Sequence, residues 1–142
     1  KYASALENYH RLTTPSTWLE ALVKTYIGDA LAADFYLEIA ASVPASVADV
    51  VRSVLAETGH SQFVVSEVLA AVAASDRQRH RLALWARRLL GEAVTQAQFV
   101  LADHDELVDL VMSSGEGLTQ LAEFFTRLQH THSSRMQELG LA

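Results

Sequence analysis

The sequence predicts an all-α chain folded as one four-helix bundle, and three observations carry that reading. Only two prolines and six glycines interrupt 142 residues, of which half are hydrophobic. Long Ala- and Leu-rich stretches lie between short breaks, which favours helix over strand. No strand-like alternation, linker or repeat beyond the helices themselves intervenes. The length suits one domain, residues 1–142, with one sizeable core.

The breaks place the elements. Thr14-Pro15-Ser16-Thr17, with Glu20 in the first turns, opens a helix that runs to about Ser42. Val43-Pro44 ends it, and a second helix extends from Ala45-Ser46 to about Ala74. Ser75-Asp76 caps a third, which lasts to roughly Ala102. Asp103-His104-Asp105-Glu106 starts a short piece ending near Met112, and Ser113-Ser114-Gly115 forms a loop. The fourth helix covers about Glu116 to Leu139, with Gly140 placed as its stop.

Composition narrows the function classes. The absence of cysteine excludes disulfides and thiolate metal sites, and suits a cytoplasmic protein. A net charge of −6 disfavours a general electrostatic grip on nucleic acid. Arg77, Arg79, His80, Arg81, Arg87 and Arg88 make the third helix locally basic, either as a phosphate or tRNA contact or, more simply, as a solvated face. Nowhere do about 18 uncharged apolar residues run together, so no membrane span is expected. The chain starts at Lys1 without a secretory signal pattern.

The chemistry lies in Glu57-Thr58-Gly59-His60. Residues three apart share a helix face, so this carboxylate and imidazole can grip one metal ion. At about 100° per residue, Glu57 aligns with Val50, Val54, Val64 and Val68. Asp29 aligns with Leu22, Tyr26, Ala33 and Tyr36, opposite a polar stripe of Glu20, Lys24, Asp34 and Glu38. Glu92 aligns with Trp85, Leu89, Gln96 and Phe99. His132 aligns with Leu118, Leu121, Phe125, Met136 and Leu139, with Gln129 just beside it and His130 pointing away. Heights agree as well: Asp29 and Glu57 are equidistant from position 43, Glu57 and Glu92 from the Ala74–Ser75 break, and Glu92 and Gln129 from a point close to the next loop.

Each residue alone has an ordinary explanation, as a hydrogen-bonded core His or an edge Glu. Together they would bury several like charges, at a cost of several kcal/mol per ion without a cation. Arg81 and Arg88 are the cations placed to neutralise part of the Glu92 stripe. Tyr26 and Trp85 are near enough to the expected ligands to relay electrons, or simply pack.

The order Asp29, Glu57-x-x-His60, Glu92, Gln129-x-x-His132 resembles the ferritin-like di-iron carboxylate superfamily. The phrases Trp18-Leu19-Glu20-Ala21-Leu22-Val23-Lys24-Thr25-Tyr26, Gly28-Asp29-Ala30-Leu31-Ala32-Ala33-Asp34-Phe35-Tyr36 and Arg127-Leu128-Gln129-His130-Thr131-His132 resemble a small actinobacterial group similar to tRNA-(2-methylthio-isopentenyladenosine) hydroxylases. The resemblance implies a ferritin-like four-helix bundle and a di-iron cofactor held by Asp29, Glu57, His60, Glu92, Gln129 and His132. It further implies an oxygenase inserting oxygen into an unactivated C–H bond, with a tRNA or small-molecule substrate, an electron-transfer partner and a homodimer as its associations. Two departures stand out: Asp29 is one methylene shorter than the usual Glu, and Gln129 replaces a bridging carboxylate with a neutral amide. They support the alternative of a non-catalytic ferritin-like binding or assembly protein with a degenerate metal site. The superfamily joins its second and third helices by a long crossover, whereas Ala74-Ser75-Asp76 reads as a short loop. The sequence leaves that connection open.

Overall fold

A computed structural model describes residues 2–41, 43–55, 61–113 and 115–142, the side chain of residue 111 apart. The elements are α1 (Tyr2–Leu12), α2 (Trp18–Ala40), α3 (Ala45–Leu55), α4 (Ser61–Ala74), α5 (Asp76–Asp103), α6 (Asp105–Met112) and α7 (Gly117–Glu138), with no strand among the described residues. The four expected helices correspond to α2, α3 with α4, α5 and α7. The expected short piece is α6.

The punctuation works as its chemistry requires. Thr17 Oγ1 accepts the Glu20 backbone N–H at 3.1 Å, and Ser75 Oγ accepts that of Gln78 at 3.2 Å. Gly140 sits at φ +73°, and the Leu141 N–H closes the turn onto the Met136 carbonyl at 2.8 Å. An added Cβ at Gly140 would come within 3.0 Å of Leu69 and 3.1 Å of Val72, so the left-handed turn also brings backbone close to α4.

Direction follows from the ties between helices. Ser75 alone, in extended conformation, separates α4 from α5, so the connection is a short loop and the two helices are antiparallel neighbours. Tyr26 pairs with Glu138, Asp34 with Arg135 and Glu38 with Arg127, which runs α2 and α7 antiparallel. At the start of α2, Glu20 meets Arg81 and Trp85, which makes α2 and α5 parallel. The four main helices therefore alternate up, down, up, down. Val23, Ile27, Val68, Leu82, Leu89 and Leu128 share one core cluster.

Helix α1 has no counterpart in the sequence reading. None of its residues is fully buried, yet it packs along α5 and is pinned at both ends. The Tyr2 ring stacks on His104, with centroids 4.3 Å apart and planes 8° from parallel. Past the other end, Lys24 Nζ donates to the Thr13 carbonyl at 2.8 Å.

Two faces differ from expectation. On α2 the buried side carries Glu20, Val23, Ile27 and Leu31, whereas Asp29 and Tyr36 are exposed. The polar stripe thus turns inward because every charge on it meets a partner. The second difference concerns the valine stripe. Val64 and Val68 are buried, but Val50 and Val54 are 62% and 70% exposed. Fourteen residues of unbroken helix would keep Val50 and Val64 on nearly the same side. The continuous face expected from Ala45 to Ala74 is therefore two faces, and residues 56–60 between them lie outside the described residues.

Glu20 gives a testable case. Burial pushes its carboxyl pKa up, but the Ser16 N–H and hydroxyl, both at 2.7 Å, and the Arg81 guanidinium outweigh that and leave it lowered. A lowered folded value means the carboxylate stabilises the fold above its unfolded pKa, and that stability is lost as pH falls through the folded value. Glu20→Gln should cost about 2 kcal/mol at pH 7. Urea unfolding between pH 7 and pH 3 checks it: the gap to wild type should close on acidification.

Candidate functional site

Of the six residues expected to hold metal, Glu57 and His60 lie outside the described residues. The other four are spread over the bundle. Asp29 is exposed on α2, Glu92 is half-buried on α5, Gln129 is exposed on α7, and His132 is 3% exposed in the α5–α7 seam. Parallel α2 and α5, tied at Glu20 and Trp85, set Asp29 and Glu92 at similar heights. His132 meets α5 at the Ala86 carbonyl, about 9 Å along the helix axis from Glu92. Gln129 faces outward because the buried side of α7 runs through Phe124, Leu128, His132 and Met136.

The His132 site is chemically unusual. Neither ring nitrogen has a hydrogen-bond partner at good geometry among the described residues, though both are buried. Burial lowers its pKa, the Arg135 and Arg87 guanidinium charges lower it further, and the Ala86 carbonyl only partly opposes them. A neutral imidazole suits a metal ligand, but two nearby guanidinium groups oppose a cation. No three His, Asp or Glu residues that could hold an ion come together among the described residues. The described donors alone therefore do not fit a di-iron pair.

Other residues considered in the sequence have structural partners. The Tyr26 hydroxyl donates to Glu138 at 2.7 Å, and burial followed by that carboxylate pushes its pKa up to about 12. Trp85 Nε1 donates to the Glu20 carbonyl at 2.9 Å. Arg81 reaches Glu20 at 3.4 Å, so the cation expected to serve the Glu92 stripe serves the α2 start instead. His104, within the acidic cap of α6, is 6% exposed, stacks on Tyr2 and contacts Glu106 at 2.9 Å.

The feature the sequence reading missed is a partly open cavity of about 750 Å³ lined by α1, α2, α5, α6 and α7. Its walls are largely apolar, from Leu6, Phe35, Val100, Leu101, Leu107 and Phe124. Small residues make the room: Gly28 and Ala32 on α2 and Ala93 and Ala97 on α5 repeat at four-residue spacing along their helices. Asp29 and Tyr36 stand at its rim. Those small pairs were visible in the sequence, but without α1 nothing marked them as a wall.

A family model described as a ferritin-like domain of actinomycetes matches residues 1–114. The chain belongs to this family. The match covers α1 to α6 of the ferritin-like domain, while α7, with Gln129 and His132, lies beyond it. No curated protein matches the chain. In this ferritin-like domain no described helix is long and apolar enough to cross a membrane.

His132 yields a prediction for the metal-free protein. Its lowered folded pKa means the native state binds fewer protons than the unfolded chain below about pH 6.5. Stability should therefore be fully present above that pH and fall between about pH 7 and 5. His132→Leu should flatten this fall, because the group that takes up the proton on unfolding disappears. Thermal melts across that range measure the effect.

Proposed function

We propose that this chain is a ferritin-like binding protein that holds an apolar small molecule in the cavity beneath α1. The observation carrying this is the cavity itself, within the 300–1,000 Å³ typical of small-molecule sites and lined mainly by aliphatic and aromatic side chains. A well-packed core leaves few voids larger than a water, so walls built from Gly28, Ala32, Ala93 and Ala97 suit an occupant better than an empty bundle. The reading agrees with Gln129, an exposed amide where a bridging carboxylate would be needed.

The test uses a neutral fluorescent probe, phenylnaphthylamine. Its emission should rise on adding the protein and saturate at one molecule per chain. Ala97→Trp should fill the cavity and reduce that affinity at least tenfold, with the helical circular dichroism unchanged. A signal that does not saturate, or that Ala97→Trp leaves intact, would sink the cavity reading.

A second reading is favoured by His132, whose two buried nitrogens lack partners. In it the chain is a di-iron oxygenase resembling a tRNA-modifying hydroxylase, with Glu57, His60 and Glu92 joining His132. Metal analysis after anaerobic reconstitution with Fe(II) separates the two. This reading needs close to two irons per chain in wild type and a loss on His132→Leu.

A further inference from the structure

We infer that the exposed side of α5 from Arg77 to Arg88 is a docking surface for an anionic lipid bilayer, with arginines on the headgroup phosphates and Leu84 entering the acyl boundary. This surface is separate from the cavity, whose α5 wall lies further along the helix, from Ala93 to Leu101. At about 100° per residue, Arg77, His80, Arg81, Leu84, Arg87 and Arg88 fall within about 120° of one another, on a strip about 16 Å long. All six are exposed, and residues 77–91 include no Asp or Glu.

The partners of the cations set this strip apart. Lys24, Arg52, Arg79, Arg127 and Arg135 each bond an acceptor in the described chain. Arg77, Arg87 and Arg88 bond none among the described residues, although Asp and Glu outnumber Lys and Arg by 17 to 11. Arg81 is held only by long contacts, at 3.4 Å to both Glu20 and Ser16. A broad hollow of about 420 Å³ on the same strip is lined by His80, Arg81, Leu84 and Arg88, together with the buried Glu20 and Trp85. Guanidinium groups bond phosphate oxygens in pairs, which suits them to headgroups.

The apolar residues decide between anionic partners. Leu84 is 67% exposed in the middle of the strip. Trp18, 66% exposed, lies two residues from both Ser16 and Glu20, the contacts of Arg81. A nucleic-acid strand gains nothing from an aliphatic side chain among its phosphates, and single-strand binders stack bases on aromatic rings set among their cations. The strip carries no Phe, Tyr or Trp. A bilayer uses both kinds of residue: its anionic headgroups attract the arginines, and a leucine beside an interfacial tryptophan enters the boundary below them.

Co-sedimentation of the full chain with vesicles tests this, using phosphatidylcholine alone and with about 30% phosphatidylglycerol, near pH 7.5 and at about 0.1 M salt. The protein should bind the anionic vesicles about tenfold more tightly or better, and lose that preference at about 1 M salt. Arg77→Gln combined with Arg88→Gln should weaken binding about thirtyfold, since each arginine near an anionic surface is worth about fivefold. Leu84→Ser should weaken it several-fold without changing the salt dependence. Arg52→Gln, which removes an exposed cation of α3, should stay within about twofold of wild type. Helical circular dichroism should be the same in all variants, because the substituted side chains are exposed.

No binding, or equal binding to both vesicle types, overturns the docking surface, as does a double variant that binds like wild type. A Leu84→Ser variant that binds like wild type overturns the bilayer as the partner. So does a labelled single-stranded RNA of about 20 nucleotides that binds more tightly than the vesicles and loses affinity in the double variant, which would make the surface a nucleic-acid one.

Discussion

The charged stripe of α2 holds the architecture together. Glu20, Lys24, Asp34 and Glu38 lie along one side of a central helix and reach four different places: the α5 start, the end of α1, and two levels of α7. Each tie sets a direction or register that apolar packing alone would leave loose, because Val and Leu contacts are nearly interchangeable along a helix. The ties are not equally strong. Asp34 and Arg135 are roughly four-fifths buried and bond through both guanidinium arms, whereas Arg127 and Glu38 are far more exposed and solvent-screened. Register between α2 and α7 therefore rests chiefly on Asp34, with Glu38 as a minor support.

That same stripe explains what the sequence could and could not disclose. Capping residues report local chemistry, so Thr17, Ser75 and Gly140 located helix ends to within about a residue. Helical periodicity reports a face but not its polarity when a helix is surrounded. Packed by α1, α3, α4, α5 and α7, α2 hides charges among its apolar residues, and the stripe that looked solvated is the inward one. Asp29 consequently reads as inward on a wheel and stands outside in the fold. The valines of α3 and α4 mislead in the opposite way, since one wheel groups them while Val64 and Val68 are buried and Val50 and Val54 are exposed. The cavity was illegible for a third reason: its floor and its cover are far apart in sequence, and the cover, α1, carries no deeply buried residue to mark it.

Family membership and local chemistry therefore bear on different questions. The ferritin-like family accounts for the helical architecture over α1 to α6. It does not decide the use to which α7 is put, because the match ends before that helix begins. His132 shows the difference plainly. Its lowered pKa would suit a metal ligand, while Arg87 and Arg135 give it an electrostatic setting that disfavours cations.

The light burial of α1 bears on how a molecule could reach the interior. A helix with no fully buried residue opens at a lower free energy than the whole bundle. Its described ties include a ring stack at Tyr2 and a lysine–carbonyl bond at Thr13, both short-range. Exchange with solvent could then proceed by detaching this single segment while α2, α5 and α7 stay locked through Asp34 and Glu20. Uptake rate and global stability would be separately adjustable, the first by residues of α1 and the second by the stripe on α2.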